Sequence, residues 1–348
     1  MLSKSRMFIL VFAILVLATN LFGQRKSDVN WFGYVRSLYQ HDFMEDGENE
    51  GQFKLLLATM GLMADINEYS SLFLFAYFNS RNIFDYSSDL SCQDGSCYLE
   101  EDVEYRDVAS LLDAYVIFKP VKKLNIVFGQ FVTPFATENL QSASKTDFIT
   151  RGYIVANSPA YRDIGAYANY KTSLFSLYAG ATNGSGMNTL DNNKYKNVIL
   201  RGELTPIEGL KAAGAASIGK DNAPVDSLAE NRNFYSANLS YKVSDFYITA
   251  EGSYQDYLNE GTTALYAYAR YDFPVGDKLL HYITPGVRFD FLDPPGDNNR
   301  QDRYTFGVAF GFDEDKWLSL FRLNYEMIEN EASDPPDVLT LEFQMRFE

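Results

Sequence analysis

Residues 339–348 read LTLEFQMRFE, and this stretch decides the fold class. Every odd-numbered residue in it, from Leu339 to Phe347, is apolar, and every even-numbered residue is polar. Successive side chains of a β-strand point to opposite faces. A period of two therefore predicts a strand with one face against apolar surroundings and the other against water or polar groups.

The first 23 residues have the layout of a secretory signal peptide. Lys4 and Arg6 precede an apolar run at 7–17, and small or polar residues follow at 18–24. The run is too short for a membrane-spanning helix, and no later segment offers about 20 consecutive apolar residues. We predict that residues 1–23 are removed on export and that the mature chain, 24–348, has no helical spans.

The composition excludes a nucleic-acid partner and favours strands. The net charge is −16, and it becomes −18 without Lys4 and Arg6. The 25 Tyr and 27 Phe residues suit strands and the aromatic girdles of membrane barrels. Cys92 and Cys97 predict a small disulfide rather than a metal site, because two ligands without a nearby histidine cannot complete a tetrahedron. We predict neither a metal nor a cofactor.

Segments that alternate or are rich in aromatic and β-branched residues recur along the rest of the chain. About sixteen such strands fit between residue 29 and the last residue, and no helix of useful length does. Short links such as 120–122 and 206–209 alternate with long polar ones such as 83–108 and 134–162. This alternation predicts an all-β fold, a transmembrane antiparallel up-and-down β-barrel of about 16 strands with long external loops and short periplasmic turns.

The predicted strands keep a polar face throughout, which indicates a water-filled interior. An unpaired backbone edge in the bilayer core costs several kcal/mol per group, so only a closed barrel spans a membrane with strands. A barrel of this size encloses an aqueous channel. We expect the strand at 339–348 to close it against the first strand, with its odd-numbered side chains toward lipid and Thr340 to Arg346 toward the lumen.

Three motifs lie close together: LDAYVIFKP at 112–120, NIVFGQFVTPFATENL at 125–140 and DFITRGYIVANSPAYRDIGAYANY at 147–170. They resemble the phosphate-selective porins O and P, a family of sixteen-stranded outer-membrane porins. The resemblance implies a homotrimer and a third external loop, about 134–162, that folds into the lumen and narrows it. The sequence departs from the family pattern at two places, and both departures remove positive charge from the expected lumen. Val132 follows GQF where the family commonly has a basic residue, and Lys54 precedes LLLATMGLM where the family is rich in arginine.

Three positive residues of this stretch are candidates for anion binding at the implied constriction. They are Lys145, Arg151 and Arg162. A basic side chain in a low-dielectric constriction attracts anions more strongly than one in bulk water. The alternative for Arg162 is an ion pair with Asp113 or Asp163 that only supports the wall.

The polar face of the strands carries charges of both signs. The predicted lumen-wall charges are Arg36, Asp113, Arg201, Glu203, Arg270, Asp272, Arg288, Asp290, Arg322, Glu342 and Arg346. Several opposite charges stand two residues apart on one strand, as Arg201 and Glu203 do. Such ladders either form a transverse field in the channel or neutralise one another, and the second arrangement is the commoner one. The sequence does not establish phosphate specificity.

These features predict a porin in the outer membrane of a Gram-negative bacterium that passes small hydrophilic solutes or ions, with anion or phosphate preference as a hypothesis. A non-conducting structural or adhesive barrel is the alternative. We predict no catalytic residue and no enzymatic activity, because His41 at the first external loop and His281 near the periplasmic rim cannot act together. The expected partners are outer-membrane lipid and lipopolysaccharide, solutes or anions in transit, and further copies of the chain.

Overall fold

The computed structural model describes residues 28–44, 49–78, 84–93, 96–105, 109–191, 193–220, 231–257, 260–276, 278–296 and 300–348. Between residues 84 and 105 it describes the backbone alone. The predicted signal peptide 1–23 and the side chains of Cys92 and Cys97 lie outside the described residues. Cleavage at export and the disulfide therefore stay predictions.

A single antiparallel sheet forms the wall of the molecule. Its strands, with the separate pair β4 and β5, are β1 Asp28–Phe43, β2 Glu50–Asn67, β3 Ser70–Phe78, β4 Phe84–Gln93, β5 Ser96–Tyr105, β6 Ala109–Val121, β7 Leu124–Val132, β8 Arg162–Lys171, β9 Phe175–Thr182, β10 Asn197–Ile207, β11 Leu210–Lys220, β12 Asn231–Val243, β13 Phe246–Tyr257, β14 Glu260–Tyr271, β15 Phe273–Pro274, β16 Tyr282–Asp293, β17 Gln301–Gly311, β18 Ser319–Asn330 and β19 Asp337–Phe347. Strands β14 and β15 are two pieces of one wall strand and both pair with β16. The described wall thus has the 16 antiparallel strands of the predicted barrel.

The first and last strands close the barrel. Strand β1 pairs with β2 on one side and with β19 on the other, in a register that runs from Gly33 opposite Phe347 to Phe43 opposite Asp337. On β19, Phe343 is 46% exposed on the outer face, whereas Glu342 is 0% exposed. The seam predicted from the alternating stretch at 339–348 is present, with the expected side chains on each face.

The short turns occur on one rim of the barrel. Two residues, 122–123, join β6 to β7, and two more, 208–209, join β10 to β11. Lys123 and Gly209 have φ of 76° and 81°, the positive values that tight hairpins between twisted strands require. A side chain at 209 would also collide with the carbonyl oxygen of Lys242. The opposite rim carries the long connections, so the predicted alternation of turns is confirmed.

The second long connection differs from the expectation. It was predicted as a polar link over 83–108, but Phe84–Gln93 and Ser96–Tyr105 pair as a separate two-stranded hairpin, β4 and β5. The hairpin register sets Cys92 directly opposite Cys97. Across the described residues, helices of a length and apolarity suited to crossing a membrane do not occur.

Candidate functional site

The connection between β7 and β8, residues 133–161, lies inside the barrel, and we call it the third loop. It contains two short helical turns, Thr137–Leu140 and Tyr153–Ala156, and a 3-10 turn, Ala143–Lys145. The Glu251 carboxylate on β13 accepts hydrogen bonds from loop backbone N–H groups. Arg36 on β1 donates to loop carbonyl oxygens. Because β1 and β13 lie far from β7 and β8 around the wall, the loop must cross the lumen to reach them.

Five wall arginines hold the third loop by its backbone. The donors and their accepting carbonyl oxygens are Arg36 with Ala143 and Ile149, Arg201 with Phe135, Arg288 with Thr150, Arg303 with Arg151, and Arg322 with Thr146. We call these five side chains the arginine clamp, and all five are buried. The clamp satisfies carbonyl groups that an irregular segment would otherwise bury without hydrogen bonds.

Two wall carboxylates neutralise most of the clamp. Glu342 lies 2.5 Å from Nη2 of Arg36 and 2.5 Å from Nη2 of Arg322. Asp290 lies 2.7 Å from Nη2 of Arg288 and 3.0 Å from Nη2 of Arg303. Both carboxylates are fully buried, and burying an unpaired charge costs several kcal/mol. Glu342 on β19 therefore stabilises one arginine on each adjacent strand, and Asp290 on β16 stabilises one on its own strand and one on β17.

The loop also brings carboxylates of its own to the wall. Glu138 accepts from Arg288 at 3.2 Å, and Asp147 lies 2.6 Å from Nε of Arg270. The ammonium of Lys316, in the turn between β17 and β18, is 3.9 Å from Asp147 and 2.8 Å from Asp272. Burial lowers the pKa of Lys316, although Asp147 opposes the shift. The carboxylates of the loop thus pair with cations of the wall and of a short turn.

Apolar packing fixes the same contact. The Phe148 ring lies over Gly286 and Gly307, which are directly opposite each other on β16 and β17. A Cβ at those positions would come within 3.2 Å and 3.1 Å of the ring. The same apolar cluster includes buried Phe135 and Ile154 of the loop. The two glycines form a notch in the wall that positions the middle of the loop.

The three positive candidates of the loop have different surroundings. Lys145 is exposed, and no described residue forms a hydrogen bond or ion pair with its ammonium. Arg151 donates to the carbonyl oxygens of Glu138 and Gln141 within the loop. Arg162, at the start of β8, forms a forked pair with Asp113, with both contacts at 3.1 Å. The geometry of Arg162 fits the alternative interpretation, an ion pair that supports the wall. Of the three candidates, Lys145 is the one whose charge stays accessible.

The predicted lumen-wall charges form ion pairs within the wall, and several of them also bind the third loop. On single strands, Arg201 reaches Glu203 at 3.0 Å, Arg288 reaches Asp290 at 2.7 Å, and Arg270 contacts Asp272. At the rim, Arg346 lies 3.7 Å from Asp315 and also contacts Glu348. These side chains neutralise one another, which is the commoner of the two arrangements considered from the sequence.

Several residues of the site are absent from the sequence-based candidates. Glu138 and Asp147 of the loop, Arg303 on β17 and Lys316 all contact the loop–wall boundary. Arg303 lies on the polar face of a predicted strand, and that position was a usable signal. The two loop carboxylates have no local pattern, because the path of the loop alone brings them to the wall.

A closed barrel with an apolar exterior, a charged lumen and an inward-folded loop defines the class of outer-membrane β-barrel channels. Within that class, the chain belongs to the family described as "Putative beta-barrel porin-2, OmpL-like", whose model matches residues 29–277. The predicted porin class, outer-membrane barrel and channel are therefore confirmed. The matching model is not that of the phosphate-selective porins, so that finer assignment stays a prediction. No curated protein sequence matches the chain.

Solved structures share the fold at low sequence identity. The anion-selective porin from Comamonas acidovorans is 12% identical, with a TM-score of 0.65 over 92% of this chain and 100% of that chain. The outer-membrane channel DcaP of Acinetobacter baumannii is 14% identical, with a TM-score of 0.62 over 92% and 97%. A trimer form of OmpT, an outer-membrane protein of Vibrio cholerae, is 14% identical, with a TM-score of 0.61 over 93% and 100%.

Proposed function

We propose that the protein is a diffusion porin that lets small hydrophilic solutes cross the outer membrane of a Gram-negative bacterium. The observation that carries the proposal is the third loop, which is fastened inside a closed 16-stranded barrel. A loop that is fastened to the wall inside the lumen narrows the passage without needing a moving part. Membership of a porin family supports the same function.

We further propose a weak preference for anions that depends mainly on Lys145. The clamp arginines are occupied by carboxylates and carbonyl oxygens, and Arg162 is occupied by Asp113. Lys145 keeps an accessible charge on the loop that narrows the lumen. One anion-selective porin shares the fold, and the motifs at 112–170 resemble phosphate-selective porins. The pairing of the clamp arginines and of Arg162 argues against strong phosphate selectivity.

Reversal potentials in a KCl gradient across a planar bilayer test the preference. We expect the wild type to favour chloride and Lys145→Gln to move the reversal potential toward zero. Lys122→Gln, which makes the same change at an exposed short turn, serves as the matched control and should leave the potential unchanged. A wild type that favours potassium contradicts the anion preference, as does an equal shift in the two variants.

A non-conducting barrel is the second candidate function, and one observation favours it. Phe135, Ala136 and Ile154 of the third loop are fully buried, which shows that part of the lumen is packed as tightly as a protein core. A loop that packs in this way on every side would block passage and leave a structural or adhesive barrel. Ion conductance of the purified protein separates the two functions, because a chain that inserts without conducting is not a porin.

The remaining proposals concern partners and chemistry. We propose a homotrimer, which the family resemblance suggests and which one structural relative forms. We also propose contact of the external loops with lipopolysaccharide through bridging cations, and no enzymatic activity. His41 is near the external end of β1 and His281 directly precedes β16 at the short-turn rim, so the two imidazoles lie at opposite ends of the barrel.

A further inference from the structure

One side of the lumen wall is aromatic where the other is charged. Strands β1, β3, β6, β8 and β9 carry an aromatic strip on their inner face, consisting of Phe32, Phe73, Phe75, Tyr115, Tyr167 and Tyr178. The register fixes this orientation, because Phe75 is opposite Asp113 and Tyr178 is opposite Arg201, and both partners face the lumen. The lumen face of such barrels is ordinarily polar. Six aromatic rings on the lumen face therefore depart from the usual composition of such barrels.

The rings of the strip hold one another in place. The centroids of Phe32 and Phe73 are 5.3 Å apart with planes 26° apart, and those of Phe73 and Tyr115 are 4.8 Å apart with planes 14° apart. Phe32 leans across Gly61 on β2, where a Cβ would come within 2.5 Å of the ring. On the far side of β7, Tyr167 and Tyr178 are 6.2 Å apart. The strip is a surface whose side chains are ordered before any solute arrives, which lowers the entropy cost of binding.

Phe32, Phe73 and buried Phe75 belong to an apolar cluster that also includes Ala143 of the third loop, but the cluster does not cover the strip completely. Phe32, Phe73, Tyr115, Tyr167 and Tyr178 are all half-buried, so ring surface remains accessible from the lumen. The rings that pack the third loop, such as that of Phe148, are by contrast buried. Packing alone explains the rings of the loop cluster. It leaves the accessible surface of the strip without a partner among the described residues.

Polar groups border the strip, and they include hydroxyls, a carboxylate and the exposed ammonium of Lys171, a diagonal cross-strand neighbour of Tyr178. The hydroxyls of Tyr115 and Tyr167 have no hydrogen-bond partner in the part of the chain that the structure describes. Glu203, the diagonal cross-strand neighbour of Tyr178, has a side chain that is 32% exposed. The nearby guanidinium of Arg162 is taken up by Asp113. The surface therefore offers ring faces together with neutral and charged hydrogen-bonding groups.

We infer that the aromatic strip binds neutral sugars on their way through the channel. A pyranose ring has an apolar C–H face that fits an aromatic ring, and its edge carries hydroxyls that suit phenolic and carboxylate partners. An inorganic anion gains nothing from the ring faces that make up most of the strip, and a purely apolar solute would leave the hydroxyls unpaired. The inference rests on the proposed diffusion function and deepens it by naming the class of solute that is retained.

Block of the ion current by maltotriose tests this inference on the purified full-length protein in planar bilayers. Tyr115→Ala removes one ring and its hydroxyl from the strip, and Tyr304→Ala makes the same change on the outer wall as a control. We expect maltotriose to reduce the wild-type current in a saturable way. Tyr115→Ala should raise the half-blocking concentration about tenfold, or about 1.4 kcal/mol, and Tyr304→Ala should change it less than twofold.

A further variant and a binding measurement separate the outcomes. Tyr115→Phe keeps the ring and should raise the half-blocking concentration about threefold, which tests the strip even where Tyr115→Ala folds poorly. A conducting wild type that maltotriose does not block, or an equal shift for Tyr115→Ala and Tyr304→Ala, overturns the inference. When the wild type does not conduct, the diffusion function fails by itself. In that case, calorimetric titration of maltotriose into the solubilised protein tests whether the strip binds the sugar. The absence of binding heat with the wild type overturns the inference.

Discussion

Replacing Glu342 with glutamine should loosen the third loop from the wall. The carboxylate is fully buried and lies 2.5 Å from the nearest guanidinium nitrogen of both Arg36 and Arg322. These arginines donate to the loop carbonyl oxygens of Ile149 and Thr146. In Glu342→Gln, two buried positive groups face each other with one neutral oxygen between them. We expect both to turn away and release their loop carbonyls.

The expected loss follows from the geometry of this shared carboxylate. Removing one partner of a buried ion pair costs about 3–5 kcal/mol, because the remaining charge is left without compensation. Two pairs share Glu342, but residues in direct contact do not contribute additively. We therefore expect the free energy of unfolding to fall by about 3–5 kcal/mol rather than by twice that amount. This loss lowers the folding equilibrium constant by a factor of about a hundred or more.

Urea unfolding of the folded barrel, followed by tryptophan fluorescence, measures the effect. Trp31 on β1 and Trp317 beside β18 report on the two strands that carry these arginines. Glu329→Gln is the matched control, because Glu329 is exposed on β18 and has no ion pair among the described residues. The control should stay within about 0.5 kcal/mol of the wild type. A Glu342→Gln protein that unfolds together with the control refutes the role of Glu342 in holding the loop.

Two further changes test the packing of the loop and the orientation of the wall. Phe148→Ala should lower the free energy of unfolding by about 3–5 kcal/mol in the same urea assay, because the ring is buried over Gly286 and Gly307. An unchanged unfolding midpoint contradicts the proposal that this notch positions the loop. Phe343→Arg puts a charge on the lipid-facing side of β19 and should cost about 2–4 kcal/mol when folding into lipid vesicles is measured. Folding of Phe343→Arg with wild-type stability contradicts the assigned outer face.

The wall could be predicted because every strand follows one local rule. The alternating stretch at 339–348 forms most of strand β19, Asp337–Phe347. The β4–β5 hairpin was missed although its sequence also alternates, with apolar residues at 84, 86 and 90 in FDYSSDLSCQ. Its acidic residues made the segment resemble a loop, since charge is a common mark of external connections. Alternation was the better guide there.

The site was predictable only where a local pattern defines it. The pairing of Arg201 with Glu203 follows from their spacing on one strand, which puts both side chains on one face. The forked pair of Arg162 with Asp113 joins β8 to β6 and was one of the alternatives that the sequence left open. The contacts of Asp147 could not be predicted from the sequence, because they depend on the path of the third loop across the lumen. Sequence patterns describe strand faces, and they do not describe where an irregular segment lies.

The clamp changes how charge in this lumen should be interpreted. An inventory of inward-facing arginines suggests a strongly positive channel, because each guanidinium carries five donors and a permanent charge. In this wall the donors are divided between a buried carboxylate and the backbone of the third loop, as in Arg322 with Glu342 and Thr146. Such a side chain fixes the shape of the passage and contributes little free charge to it. Selectivity then depends on groups that neither loop nor wall occupies, such as the ammonium of Lys145 and the accessible rings of the aromatic strip.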